Sequence, residues 1–158
     1  MPTSYRLLAP ADAEPLARLL AELQAHYAVP CPPQETIVAD LLALPPGNRI
    51  LVGAVDGAIA GFAAIAEIYP GPFLRKGLFL KELYVGAAWR GRGLGRGLMG
   101  AIAAIALAEG HGRVDWTADR EDGALLRFYD RLGADRMPAK LFYRLTGAAL
   151  AKVASSEG

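Results

Sequence analysis

The sequence predicts an α/β fold in which helices flank a mixed central β-sheet. Three observations carry this: an early hairpin signature, a glycine-rich turn between an apolar strand and a long apolar helix, and strand–helix alternation after it. With 158 residues, of which 53% are hydrophobic and 21% charged, the chain suits one compact domain with a sizeable core. We expect residues 1–146 to form that domain and 147–158 to be a C-terminal tail.

Leu16, Leu19, Leu20, Leu23 and Tyr27 recur at helical spacing, and Asp12 and Glu14 stand where acids suit a helix N-terminus. A first helix over 12–27 follows, closed by Pro30, Pro32 and Pro33. A shorter helix carries Ile37, Leu41 and Leu44 and stops at Pro45. Strands 50–55 and 58–68 flank Asp56-Gly57, a strong two-residue hairpin signal. A loop over 69–73 leads to a strand at 78–85. Leu94, Leu98, Ile102 and Ile105 mark a helix whose other positions are nearly all small or apolar, which predicts burial on more than one side. A short strand at 114–117, a helix at 125–132 closed by Gly133, and a last strand at 141–145 complete the order.

Net charge is +1, so nothing global points to nucleic acid or a membrane surface. The aromatic residues do not interleave with a basic stripe, and the longest uncharged apolar run, Leu98 to Ala108, is short for a membrane span. The lone Cys31 excludes an internal disulfide, and no signal-peptide pattern opens the chain; a cytoplasmic location is the expectation. Charge is nevertheless uneven. Arg75, Lys76, Lys81, Arg90, Arg92 and Arg96 stand against one acid, Glu82, which suggests a small anionic ligand.

The most informative stretch is Trp89-Arg90-Gly91-Arg92-Gly93-Leu94-Gly95-Arg96-Gly97. Alternating glycines cost stability, and close approach of backbone to a ligand would account for them. The first amides of a helix lack internal partners and carry partial positive charge, which makes a phosphate site. No nucleoside-triphosphate P-loop string occurs. A dinucleotide fingerprint matches at Gly95-Arg96-Gly97-Leu98-Met99-Gly100, but Gly95 lies ten residues past Val85, too far from the strand end.

Arg90-x-x-Gly93-x-Gly95, preceded by Leu83-Tyr84-Val85, resembles the acetyl-CoA pyrophosphate motif of the GNAT-superfamily N-acetyltransferases. Leu125 to Ala134, with Phe128-Tyr129 and Gly133, is similar to that family's second cofactor-binding helix. The resemblance covers nearly the whole chain. It implies the GNAT fold, acetyl-CoA as co-substrate, and direct attack of an amine on the thioester. It also implies a cofactor site at Leu83, Tyr84, Val85, Arg90, Gly91, Arg92, Gly93, Leu94, Gly95, Arg96, Asp122 and Tyr129.

Within that resemblance, the Leu83–Val85 backbone would pair with the pantetheine arm, and the Val85 N–H would stabilise the developing oxyanion. Tyr129 matches the tyrosine near the cofactor sulfur; a phenol stays protonated at neutral pH and can donate to the thiolate. Glu82 is the candidate base, and Glu67 a weaker one. Asp122 stands where many relatives have asparagine; it can accept but not donate, and would also serve as a helix N-cap.

The stretch from Tyr69 through Leu80–Val85 further resembles the spermidine/spermine-type diamine acetyltransferases. Lys81-Glu82 replaces two successive acids there, and the loop 27–33 is apolar where a polycation site should be acidic. A smaller or amphiphilic primary amine is therefore expected. The apolar 145–153 tail makes a homodimer the expected assembly.

Other chemistries fit poorly. Serine occurs only at 4, 155 and 156, without a nucleophile elbow. His26, His111 and Cys31 show no metal-ligand spacing, and each histidine reads as a surface or helix-end residue. A non-catalytic acetyl-CoA-binding sensor is the alternative to an enzyme.

Overall fold

The structure, a computed structural model, describes residues 2–155. Its order is β1 (Thr3–Leu7), α1 (Ala13–His26), α2 (Gln34–Leu42), β2 (Asn48–Val55), β3 (Ala58–Ile68), β4 (Gly77–Val85), α3 (Leu94–Ala108), β5 (Val114–Asp115), α4 (Gly123–Arg131) and α5 (Gly147–Ala154). The chain divides between Thr117 and Ala118 into two compact units.

The first unit holds one mixed sheet in the order β1-β2-β3-β4-β5. The first three pairings are antiparallel; β4 and β5 are parallel. Asp56 and Gly57 both have positive φ, as the tight connection between β2 and β3 requires. On one face α1 and α2 bury Leu16, Leu19, Leu23, Ile37 and Leu41 against Val52, Phe62 and Tyr84. Each fully buried Leu or Phe contributes about 1.5–3 kcal/mol.

Helix α3 lies on the other face. It buries Leu94, Leu98, Met99, Ile102 and Ala106, while Leu107 is 80% exposed. The expectation of burial on more than one side is thus corrected: Gly100, Ala103, Ala104 and Ala108 are exposed, and one stripe packs. Leu98 of that stripe packs over Gly61, where a Cβ would fall 3.4 Å from it.

Strand β1 was not anticipated. Its sequence, Thr3-Ser4-Tyr5-Arg6-Leu7, shows little alternation because the strand is an edge with one half-buried residue, Tyr5. Tyr5 lies opposite Gly53 and reaches α3, where a Cβ on Gly97 would fall 2.0 Å from its Cζ and Oη. Gly97 therefore admits a tyrosine, which gives the last glycine of the run a packing role. Next along the chain, Arg6 pairs with buried Asp12, whose other contact is the Ala9 amide at 2.7 Å. The Arg6 hydrogen bond holds the Asp12 carboxyl below the usual range.

In the second unit, α4 is capped by Asp122, whose Oδ1 accepts the Leu125 amide at 3.1 Å. Asp130 and Arg136 form a two-point ion pair. The strand expected at 141–145 does not form: the segment is irregular, and Leu141, Phe142 and Tyr143 are exposed. Apolar and aromatic composition supplies strand propensity, but a strand also needs a hydrogen-bonding neighbour, and none of the described strands pairs with it. The stretch 147–154 forms the short surface helix α5.

Candidate active site

The expected site residues of the first unit converge where β4 runs out. Strand β5 accompanies β4 only at Leu78 and Phe79, so the β4 edge from Leu80 to Val85 has no strand beside it among the described residues. Gly86 N–H donates to the Ala60 carbonyl at 2.8 Å. Val85 and Gly61 are therefore a pair without mutual hydrogen bonds, and the N–H and C=O of Val85 point away from β3 toward that open edge. Leu83, two residues earlier, has the same orientation. An extended amide-bearing ligand could add to this edge as a strand would.

A β-bulge decides what lines the edge. Ala64 pairs with Glu82 but Ile65 pairs with Leu80, leaving Lys81 as the extra residue. In an unbroken strand Glu82 would share the α3 face with Leu78 and Leu80. The inserted residue moves Glu82 and Tyr84 to the α1 face, opposite Ala64 and Phe62. Glu82 is half-buried there; burial pushes its carboxyl above the ordinary glutamate range, and Lys81 pulls it partly back. Glu67 lies on the α3 face of β3, opposite Leu78, so the weaker base candidate is across the sheet from Glu82.

Beyond Val85 the chain makes a 3-10 turn over Ala87–Trp89 and then the glycine loop. Gly91 and Gly93 have φ of +76° and +79°, left-handed values that favour glycine. Gly93 is the N-cap of α3 and offers no side chain to its first-turn amides. Those donors remain available to a ligand, with the helix dipole behind them. Arg90, Arg92 and Arg96 are exposed around the turn. Arg90 stacks over Tyr84 and its Nε donates to the Val85 carbonyl at 3.2 Å, while Arg92 stacks over Trp89. Leu94 is buried and anchors the loop from below.

Glu22 was missed in the sequence. From α1 its Oε2 accepts the Tyr84 hydroxyl at 2.6 Å and the Ala87 amide at 3.1 Å. It ties the first helix to the exit of β4 and the start of the phosphate turn. Glu22 is exposed, off the buried stripe of α1, and no local pattern marked it. Burial, then Glu22, raises the Tyr84 phenol above its ordinary value.

Tyr129 and Asp122 belong to the second unit. Tyr129 is half-buried on α4 with Phe128 beside it, ring centroids 5.2 Å apart. Asp122 spends one carboxylate oxygen on the cap described above.

Residues 16–134 match the Acetyltransferase (GNAT) family. The chain belongs to that family. In this GNAT chain the open β4 edge and the uncapped start of α3 lie next to each other in sequence, joined by the glycine turn. It is 30% identical over 95 residues to the L-ornithine N5-acetyltransferase NATA1 of Arabidopsis thaliana, covering 60% of this chain and 42% of that protein. The chain thus spans about two fifths of the length of that curated relative. Among solved structures, an integron cassette protein of V. cholerae superposes with a TM-score of 0.88 at 26% identity, over 99% of each chain. A ribosomal-protein-alanine N-acetyltransferase from Brucella melitensis superposes with a TM-score of 0.78 at 22% identity, over 90% of this chain and 99% of that one; it shows the shared fold. No helix among the described residues is long and apolar enough to cross a membrane.

Proposed function

We propose that this enzyme N-acetylates a primary amine of a small molecule, an amino acid with an aminoalkyl side chain being the substrate class that fits best. The observation that carries the reading is the β4 bulge, which sets a half-buried carboxylate beside an open, amide-lined strand edge. The similarity to an ornithine acetyltransferase supports the substrate class. So does the α1–α2 loop, Tyr27 to Pro33, which carries no acid to attract a polycation.

Acetyl-CoA supplies an activated thioester when bound. The chain's own residues then have separate tasks. First-turn amides of α3, with Arg90, Arg92 and Arg96, hold the pyrophosphate charge. The outward Val85 N–H donates to the carbonyl oxygen as negative charge grows on it. Glu82 accepts the ammonium proton, directly or through water, so that the amine attacks as its neutral form. Tyr129 donates a proton to the thiolate as the C–S bond breaks, and the proton shed by the new amide nitrogen returns to the phenolate, directly or through water. Residues 1–146 serve as one catalytic domain in a cytoplasmic homodimer.

A competition assay separates this reading from the diamine one. Small primary amines, L-ornithine and its decarboxylated diamine among them, are offered together with spermidine and the acetylated products are counted by mass spectrometry. The expected result is preference for a small amine by kcat/KM. Spermidine outperforming every small amine would overturn the substrate class while leaving acetyl transfer intact.

A further inference from the structure

At the opposite end of α3 from the glycine turn, three elements bring together a set of metal-ligand side chains. Glu67 comes from the end of β3, Glu109 caps α3, and His111 lies in the connection to β5. His111 is 4% exposed, and both of its ring nitrogens are buried without a hydrogen-bond partner. Leaving such groups unsatisfied is costly, so a buried imidazole aimed at two carboxylates calls for a physical reason.

The spacing supplies one. Ligand atoms about 2.1 Å from a zinc ion at tetrahedral angles lie roughly 3.4 Å from one another. His111 Nε2 is 3.5 Å from Glu67 Oε1 and 3.4 Å from Glu109 Oε1. These distances are long for hydrogen bonds and suited to a shared cation. Arg49, on β2, donates to both Glu109 oxygens at 2.8 Å, fixing that carboxylate as an outer-shell partner fixes a ligand. Two carboxylates against one guanidinium leave net negative charge, and the C-terminal end of the α3 dipole adds to it.

We propose that Glu67, Glu109 and His111 bind one divalent transition-metal ion of the zinc class, with water completing the coordination. Imidazole with carboxylates suits zinc, cobalt and nickel better than calcium or magnesium. The ion would join the end of α3 to β3, on the sheet face away from Glu82. It is a structural cross-link, independent of the acetyl-transfer chemistry.

The test uses the whole chain, stripped with chelator, titrated with Zn(II) by calorimetry and with Co(II) by visible absorption. One ion per chain with micromolar or tighter Kd is expected, with Co(II) d–d bands of a low-coordinate site. Glu67→Gln, at an exposed position, should weaken binding about tenfold or more, and His111→Ala should abolish it. Cys31→Ser should leave it unchanged. If His111→Ala does not fold, Glu67→Gln decides. Absence of saturable binding at millimolar ion, equal affinity in Glu67→Gln, or loss of the Co(II) bands in Cys31→Ser would each overturn the assignment.

Discussion

Replacing Gly61 by valine is expected to lower stability by about 2–3 kcal/mol and to weaken acetyl-CoA binding with it. A Cβ at this position would fall 2.9 Å from the Tyr84 carbonyl oxygen and 3.4 Å from the Val85 Cα and from Leu98. The nearest of these atoms is backbone, so no side-chain rotation relieves the clash; β4 itself must move. The gain in strand propensity from valine is at most about 1 kcal/mol and is the smaller effect. Because Val85 sits opposite Gly61, the displacement falls on the residue whose N–H faces the open edge. For a chain of this size the loss corresponds to a fall in Tm of roughly 4–12 °C, read by calorimetry. Gly100→Ala is the control. Its Cβ meets nothing within 4 Å on an exposed face of α3, and it should raise stability by about 0.5–1 kcal/mol. A Gly61→Val protein with unchanged Tm and acetyl-CoA affinity would show that the strand edge tolerates movement, contrary to this account.

The second large effect concerns Glu82. Glu82→Gln removes a proton acceptor at nearly constant volume and should reduce kcat/KM roughly 10²–10⁴-fold. The pH profile gives the sharper readout. Burial raises the Glu82 carboxyl, so activity should fall with decreasing pH through a midpoint above the ordinary glutamate value of 4.5. Above that midpoint the carboxylate is ionised and can accept the ammonium proton; below it the acid is already protonated. The low-pH limb should vanish in Glu82→Gln, leaving the rise that reports the amine's own deprotonation. Loss of rate with the limb intact would mean that another group is the base.

Much of the sheet was legible because its signals are local. Asp56-Gly57 fixed the central hairpin, and Gly91 and Gly93 announced left-handed backbone before a helix. What escaped depends on pairing across distance. The bulge at Lys81 leaves no mark in Leu80-Lys81-Glu82, yet it sends Glu82 to the α1 face, opposite Ala64. β1 was hidden because an edge strand with one half-buried tyrosine shows little period-2 pattern. The opposite error arose at 141–145, where the composition of a strand lacks the neighbour that would make it one.

Side-chain clusters were harder still. Glu22 meets Tyr84 across sixty-two residues of chain. His111 was read as a surface or helix-end residue; it does follow the end of α3, but the fold buries it beside Glu67 and Glu109, which no spacing rule could join. Tyr129 and Asp122 were named through resemblance to a family motif; Asp122 also announced its N-cap role by standing three residues before Leu125.

In the proposed acetyl transfer to a small primary amine, Tyr129 supplies the proton to the leaving thiolate. The most direct test is thiol release from acetyl-CoA with the preferred amine, wild type beside Tyr129→Phe. A thiolate is a fair leaving group, its conjugate acid having a reference pKa near 8.5, so the predicted loss in kcat is roughly 10–100-fold. Acetyl-CoA binding should be retained. Tight binding of acetyl-CoA with no amine turned over, or equal rates in the two proteins, would contradict the account.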